Sequence, residues 1–224
     1  MTINQNNEPY TAERRIVTGL SKAGLALRAM MWAKGQSSGL TPTQGQILAL
    51  LQVRGTLRLS AVATDLGVRQ PTTTEAVNTL VRKGMVGKTA DPNDGRAIAL
   101  KLTAKGRTEA KRTAEWPNAL MRAIGELNEN DQAALLRALM KMIRSLQIND
   151  DIAPARMCLS CRFFRPQVHP DPKAAHHCDF FHAALGDHDL RFDCGEHEAA
   201  SESQANAASR RFGAESARPQ DGKV

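Results

Sequence analysis

The architecture follows from residues 59–102, which read LSAVATDLGVRQPTTTEAVNTLVRKGMVGKTADPNDGRAIALKL. Ser60 is a favourable N-cap, and apolar residues then recur at helical spacing as far as Leu66. Gly67 suits the left-handed position that ends a helix. A second helix is predicted from about Pro71 to Gly84. Two short helices joined by a four-residue turn form a helix–turn–helix.

A β-hairpin is predicted directly after the second helix. Residues 85–89 and 96–102 read as strands, and the DPNDG segment between them consists of turn-forming residues. A helix–turn–helix followed by such a hairpin is a winged helix. The predicted fold class is therefore mainly α with a small β-hairpin wing, an α+β winged helix.

Longer helices are predicted on both sides of this unit. Residues 11–34 carry apolar side chains on one helical face, and Thr41-Pro42 opens a helix that continues to about Val53. Residues 104–126 form a helical pattern in which Pro117 should produce a kink or a break. A last helix is predicted over 129–147, capped by Asn128. The apolar residues within 16–31 and 135–146 are predicted to be packing residues of a dimer core.

Polar side chains near the start of the second short helix suit the major groove of DNA. Threonine, asparagine and glutamine can hydrogen-bond base edges, and the threonine methyl can pack on thymine. Nearby lysines and arginines can meet phosphates, and an arginine at the hairpin tip can enter the minor groove. Successive helical positions point about 100° apart, so at least one of three consecutive threonines should be cap or core. The candidate base-contacting residues are Arg69, Gln70, Thr72, Thr73, Thr74 and Asn78; the candidate phosphate contacts are Arg58, Arg82, Lys83 and Lys88; the candidate minor-groove residue is Arg96.

The segment from LTPTQGQILALL through the hairpin to LTAKG resembles the MarR family of bacterial transcription regulators, over roughly residues 11–147. The most specific part is the Asp-rich turn, Arg96, a strand and then Leu102-Thr103-x-x-Gly106. The resemblance implies an obligate homodimer with intertwined terminal helices that binds a palindromic operator. It implies that Thr72–Thr74 and Asn78 read the major groove, and that Asp94 holds Arg96 by an ion pair. Gly95 stands where a second arginine is common, and the resemblance does not cover the cysteine-rich extension.

Composition divides the chain near Met157. All four Cys, six His and six Phe follow that residue. Residues 1–157 contain 22 Lys and Arg against 13 Asp and Glu, a net charge of +9, and the remainder has a net charge of −2. The basic part suits a nucleic-acid partner. The absence of His and Cys from it, and of any recognisable catalytic constellation, argues against an enzyme.

The expected compartment is the cytoplasm. The first ten residues lack the pattern of a signal peptide, and no apolar run approaches 18 residues. In a reducing compartment, clustered cysteines favour a metal site over structural disulfides.

Four cysteines predict a metal site in the extension. Cys158 and Cys161 form a CxxC pair, followed by Cys178 and Cys194. A segment of this size cannot bury enough apolar surface alone, so a metal can supply the missing folding free energy. Both Zn2+ and a [4Fe–4S] cluster take four thiolates and give a site charge near −2. Arginines could offset that charge, and five phenylalanines could pack around the site. The arginines are Arg162, Arg165 and Arg191, and the phenylalanines are Phe163, Phe164, Phe180, Phe181 and Phe192.

The choice of metal stays open at this stage. The cysteine spacing is similar to that of high-potential iron–sulfur proteins, and the phenylalanines slightly favour a cluster. A histidine near Cys178 could instead replace one cysteine as a ligand. The candidates for that replacement are His176, His177 and His182.

The predicted organisation is a flexible N-terminus (1–10), a winged-helix and dimerisation domain (11–147), a linker (148–157), a four-cysteine module (158–197) and a disordered tail (198–224). The functional hypothesis is a homodimeric operator-binding regulator controlled by its metal site. One alternative is a purely structural zinc with a small-molecule effector in the cleft between the lobes of the dimer. Less favoured are an electron-transfer enzyme and a module that binds only proteins.

Overall fold

A computed structural model describes residues 11–91 and 94–214, and the side chain of Arg96 is outside the described set. The chain forms two compact units, Met1–Leu59 with Pro71–Ala123, and Ser60–Gln70 with Ile124–Val224. Residues 1–10 and 215–224, predicted to be flexible and disordered, lie outside the described residues. None of the helices in the described ranges has the length and apolarity needed to cross a bilayer.

The described part of the chain is mainly helical with two small antiparallel sheets. The helices are α1 (Ala12–Ser38), α2 (Pro42–Arg54), α3 (Leu59–Asp65), α4 (Gln70–Arg82), α5 (Ala104–Thr113), α6 (Asn118–Gly125), α7 (Glu129–Ile148) and α8 (Glu202–Ala214). The strands are β1 (Leu57–Arg58), β2 (Val86–Asp91), β3 (Asp94–Leu102), β4 (Phe164–Arg165), β5 (His176–Cys178) and β6 (Ala183–Leu185).

Local signals account for most helix ends. Thr41 and Gln44 form a capping box at the start of α2, and Asn128 caps α7 by accepting a hydrogen bond from the Asp131 N–H at 3.0 Å. The predicted break at Pro117 is confirmed, because α5 ends at Thr113 and α6 begins after the proline. Helix α1 runs four residues past the predicted end and stops at Gly39, whose φ of 66° is left-handed.

The first sheet has the strand order β1-β3-β2 and contains the predicted hairpin. Pairing of β2 with β3 starts at Val86 opposite Leu102 and reaches Asp91 opposite Asp94. Both strands therefore extend into the segment predicted as a turn. Residues 92–93 at the tip lie outside the described residues.

A close approach explains the glycine of the Leu-Thr-x-x-Gly motif. Thr103 caps α5 by accepting a hydrogen bond from the Gly106 N–H at 3.0 Å, and the Thr103 N–H donates to the Met85 carbonyl at 3.0 Å. A Cβ added at Gly106 would lie 1.9 Å from that same carbonyl oxygen. The motif therefore seats the start of α5 against the end of α4 with no room for a side chain.

The second unit has its own apolar core, which includes one residue of α7 and one of α8. The prediction of a disordered tail is wrong for residues 202–214, because these form α8 and Phe212 is only 1% exposed. One large apolar residue on a largely polar helix completes a core whose other members come from elsewhere in the chain. The linker also ends earlier than predicted, since Met157 is completely buried. The core consists of Met140, Met157, Leu159, Phe164, Leu190 and Phe212.

Candidate nucleic-acid interface and cysteine site

Helix α4 presents only part of its predicted base-contacting set to solvent. Thr72 is exposed, and Thr74 and Asn78 are half-buried. Thr73 is completely buried, so its assignment as a base-contacting residue is wrong for this structure. The expectation that at least one of the three threonines belongs to the core is thereby confirmed. Arg69 and Gln70, which precede them, are exposed.

A hydrogen bond joins the wing to α4. Lys88 on β2 donates from Nζ to Oδ1 of Asn78 at 2.6 Å. Lys88, predicted to contact phosphate, therefore lies next to Asn78, predicted to contact a base. This contact orients the Asn78 amide relative to the hairpin, and it was not foreseen from the sequence.

The remaining cations at the end of α4 also have defined contacts. Arg82 Nη2 donates to Thr79 Oγ1 at 2.8 Å. Lys83 Nζ donates to the carbonyl of Gly39, and Lys105 Nζ donates to the carbonyl of Lys83 at 2.9 Å. Arg82 is exposed and Lys83 is half-buried, so both retain surface that an anion could reach.

Arg58 is engaged with the hairpin. Its Nε and Nη2 donate to the two carboxylate oxygens of Asp91 at 2.8 and 3.0 Å, and its Nη1 lies 3.9 Å from Oδ2 of Asp94. The hydrogen bonds and charge of Asp91 raise the pKa of the Arg58 guanidinium above its ordinary value. A predicted phosphate contact thus also holds the end of β2, next to the tip of the wing.

At the wing tip, the predicted ion pair between Asp94 and Arg96 involves a side chain outside the described set, so it stays a prediction. Asp91 is the partner that sequence reasoning missed. Its acidic side chain at the first position of the turn segment is the one sequence signal that could have identified it, since β1 is separated from β2 by β3.

A sizeable cavity lies within the first unit, between α1, α2 and the start of α4. Its volume is about 590 Å³, within the range usual for small-molecule sites. Its lining combines the aromatic ring of Trp32 and the cation of Arg28 with the polar side chains of Gln44, Thr72 and Glu75. The cavity can therefore accept a small ligand with apolar and anionic parts.

The four cysteines line one cavity in the second unit. Cys158 and Cys161 are joined by a tight turn in which the Cys161 N–H donates to the Cys158 carbonyl at 3.0 Å. Cys178 ends β5, opposite Phe164 on β4, and the Cys194 N–H donates to the Arg156 carbonyl at 3.0 Å. All four are free thiols. The structure therefore brings together all four predicted ligands from three separate stretches of chain.

Besides the cysteines, the cavity is lined by four phenylalanines, by Leu185 and by three charged residues, which are Asp189, Arg191 and Glu196. Phe163, Phe164, Phe180 and Phe181 line the same cavity. Burial raises the pKa of the Cys158 thiol to about 11; the other three cysteines add to the rise, and the backbone N–H of Arg191 opposes it. Within the described ranges, no group of three or more His, Cys, Asp or Glu side chains is placed so that it could hold a metal ion. The cysteines surround a space and do not converge on one point.

Only one of the three predicted charge-compensating arginines faces this cavity. Arg191 donates from its backbone N–H to Sγ of Cys158 at 3.3 Å, and its Nη1 lies 3.9 Å from Sγ of Cys194. Arg162 instead pairs with Glu198, and Arg165 pairs with Asp179.

Both ring nitrogens of His176, a candidate to replace a cysteine as metal ligand, contact other groups of the protein. Its Nδ1 accepts from the Gln167 N–H at 3.2 Å, and its Nε2 lies 3.1 Å from Oδ1 of Asp187. The second oxygen of Asp187 lies 3.2 Å from Nη1 of Arg137 on α7. These contacts join the cysteine-bearing strand β5 to α7 by two polar interactions in series.

The helix–turn–helix elements and the hairpin together define the winged-helix class of DNA-binding proteins. Residues 40–98 match the model of the MarR family. The transcriptional regulator FarR of Neisseria gonorrhoeae is 26% identical over 129 residues, 58% of this chain and 88% of FarR. The transcriptional repressor MdtR of Bacillus subtilis is 25% identical over 116 residues, 51% of this chain and 75% of MdtR.

Solved structures agree on the fold. NadR in complex with 4-hydroxyphenylacetate is 26% identical, with a TM-score of 0.50 over 64% of this chain and 97% of NadR. A MarR protein from Peptoclostridium difficile is 20% identical, with a TM-score of 0.56 over 66% of this chain and 94% of its own. The family model and the relatives FarR and MdtR support a MarR-type DNA-binding transcription regulator, and not an enzyme. The family match ends well before the first cysteine.

Proposed function

We propose that the protein is a homodimer that binds a palindromic operator through α4 and the wing of each protomer. The observation that carries this proposal is the polar, exposed start of α4 followed by the wing, inside the segment that matches the MarR family. Thr72, Thr74 and Asn78 face the bases, together with Arg69 and Gln70. Arg58, Arg82, Lys83 and Lys88 meet phosphates, and Arg96, positioned by Asp94, enters the minor groove.

Exposed apolar side chains support the dimer. On α1, Ile16, Val17 and Leu25 are each more than half exposed. Leu135 and Leu146 are exposed on α7. A second copy of the chain would cover such surface, which is costly to leave in water.

The test is a salt series of operator binding. We expect affinity to fall steeply as salt rises, because phosphate contacts release counterions. Arg96→Ala should weaken binding, whereas Lys111→Ala, which removes an exposed charge on α5, should not. Ile16→Glu should reduce the dimer measured by light scattering. An operator affinity that changes neither with salt nor in Arg96→Ala would show that this surface does not bind DNA.

We also propose that the four cysteines hold a [4Fe–4S] cluster or Zn2+ and that the state of this site controls operator binding. The shared cavity supports the first part. The core of the same unit supports the second, because Met140 of α7 packs with Leu159 and Phe164, which adjoin the cysteines. A change at the site can thus move α7. Half-sites lie about one helical turn apart, so a small change in the spacing of two recognition helices prevents simultaneous docking.

Operator affinity measured for metal-loaded protein, oxidised protein and the Cys178→Ser variant tests this control. We expect the loaded protein to differ from the other two. Equal affinities would leave the site with a stabilising role alone.

A second candidate is a small-molecule effector acting on a regulator whose zinc is structural. The cavity beside Arg28 and Trp32 favours it, as does the likeness to NadR, which is described in complex with 4-hydroxyphenylacetate. Thr72 lines this cavity and also belongs to the proposed base-contacting set, so a ligand there would act on α4. Titration with 4-hydroxyphenylacetate should weaken operator binding, and Arg28→Ala should remove the effect.

A further inference from the structure

We propose that the cysteine site houses a polynuclear iron–sulfur cluster of the [4Fe–4S] type, and that Arg191 sets its reduction potential. This deepens the proposed function, since it chooses between the two metals considered for the same site.

The cavity that the cysteines line has more room than a single ion occupies. Its volume is about 30 Å³. One water molecule takes up about 10–15 Å³ of cavity space. A tetrahedral zinc holds each sulfur about 2.3 Å from the ion, so its sulfurs touch and enclose no room for water. A cluster, in contrast, places several iron and sulfide atoms between the four cysteine sulfurs.

The walls of the cavity suit a cluster that must be kept from water. The ring centres of Phe163 and Phe180 are 5.4 Å apart, and those of Phe180 and Phe181 are 5.0 Å apart. Phe180 and Phe181 are 42% and 44% exposed, so they form the solvent side of the enclosure. Solvent exposure is one of the properties that set a cluster's potential.

Arg191 contacts the site in three ways. Its backbone N–H and its guanidinium reach the sulfurs of Cys158 and Cys194, as described above, and its guanidinium carbon lies 4.8 Å from the centre of the Phe181 ring. The stacking on Phe181 holds the positive charge beside the sulfurs. Hydrogen bonds and positive charge at the ligand sulfurs favour the more negative, reduced cluster. Arg191 is therefore a positioning residue that raises the potential.

The first experiment is to purify the full chain without oxygen, or to load it with ferrous iron and sulfide. We expect about four iron and about four sulfide per chain and a brown protein. A colourless protein with one zinc per chain, which excludes iron in competition, would overturn the proposal. Two iron and two sulfide would overturn the [4Fe–4S] assignment. Replacement of each cysteine by serine in turn should lower the iron content.

The second experiment measures the midpoint potential by dye-mediated titration of the loaded protein. Arg191→Met should lower the potential, and Arg162→Met should leave it unchanged. The latter is the matched control, because Arg162 lies over Phe163 but pairs with Glu198. Arg191→Lys keeps a positive charge, so its midpoint potential should lie between those of Arg191→Met and the wild type. Equal potentials in Arg191→Met and the wild type would overturn the assignment of Arg191.

These outcomes are independent of the proposed function. Iron content and potential are measured without DNA, so they can support the cluster even if the operator is never bound. Conversely, salt-sensitive operator binding by a protein that carries only zinc would retain the winged-helix function and reject the cluster.

Discussion

Arg58 and Asp91 are 33 positions apart in the sequence and are joined by two hydrogen bonds, from Nε and Nη2 of the guanidinium to the two oxygens of the carboxylate. The pair joins β1, which precedes the helix–turn–helix, to the end of β2 in the wing. The arginine is partly exposed, whereas the Asp91 side chain is only 10% exposed. The orientation of the wing therefore depends on an ion pair close to its tip.

This pair gives a prediction that separates two roles of Arg58. If it acts by holding the wing, Arg58→Ala and Asp91→Ala should weaken operator binding by similar factors, and the double variant should be no weaker than either. A direct phosphate contact would make Arg58→Ala alone reduce the slope of log affinity against log salt by about 1. Fluorescence anisotropy across a salt series measures both quantities. Because Arg58 is proposed to do both, we expect the double variant to bind no more weakly than Arg58→Ala, with a slope reduced by about 1 in Arg58→Ala but not in Asp91→Ala. Additive losses would contradict the holding role, and an unchanged slope in Arg58→Ala would contradict the phosphate contact.

Neighbouring threonines on α4 should behave differently. Thr73→Ala removes a buried side chain and should lower the free energy of unfolding by about 0.5–3 kcal/mol, with little change in which operator bases are preferred. Thr72→Ala should alter stability by no more than about 0.5 kcal/mol but change the base preference at one position. Thermal unfolding and binding to an operator library measure the two effects. A change of base preference in Thr73→Ala would show that Thr73 contacts the bases and would contradict this prediction.

The close approach at Gly106 predicts a large effect for the smallest side chain. Gly106→Ala places a Cβ against the Met85 carbonyl, a backbone atom that cannot rotate away. We expect a loss of about 1–3 kcal/mol or more in the free energy of unfolding, measured by urea denaturation. Gly125→Ala is the matched control, since nothing lies within 4 Å of a Cβ added there. If both variants are equally stable, the start of α5 is not held in this position.

Asp187 predicts a pH-dependent contribution to stability. Burial raises the pKa of this carboxyl, but the hydrogen bond with His176 and the charge of Arg137 outweigh it, so the pKa is below its ordinary value of 3.8. A carboxyl whose pKa is lowered by folding stabilises the folded state when the pH is above the pKa that this carboxyl has in the unfolded chain. The contribution disappears as the pH falls through the lower, folded value.

We therefore expect Asp187→Asn to lower the free energy of unfolding by about 1–3 kcal/mol at pH 7. The difference from the wild type should shrink below about pH 4. The metal content of both proteins is measured at each pH, so that loss of metal in acid is not mistaken for an effect of Asp187. A difference that stays constant between pH 7 and pH 3 would show that the charge of Asp187 is not responsible.

Local chemistry made several helix ends predictable. Thr41, Asn128 and Pro117 act on the few residues next to them, and helix ends follow from such short-range effects. The four cysteines were predictable as a set because their spacing is unusual. Their common cavity is a fact of tertiary structure that the spacing only suggested.

Contacts between residues far apart in the sequence were the part of the structure that could not be predicted. Asp91 was read as a turn residue because nothing local shows that an arginine on β1 reaches it across β3. Thr73 was read as polar and outward, although three consecutive helical positions point about 100° apart and cannot all face the same surface. α8 was read as a disordered tail because its mean composition is polar, and composition does not show that Phe212 fits a core formed by residues 140–190.

The place of Phe212 in that core has a consequence for biosynthesis. Translation proceeds from the N-terminus, and units fold as their residues leave the ribosome. The helices and wing of the first unit are complete once residue 123 has emerged, but the core beside the cysteines lacks a member until α8 has been made. The surroundings of the thiols therefore stay incomplete until the end of synthesis, and a messenger truncated before α8 would yield a chain with all four cysteines but without Phe212.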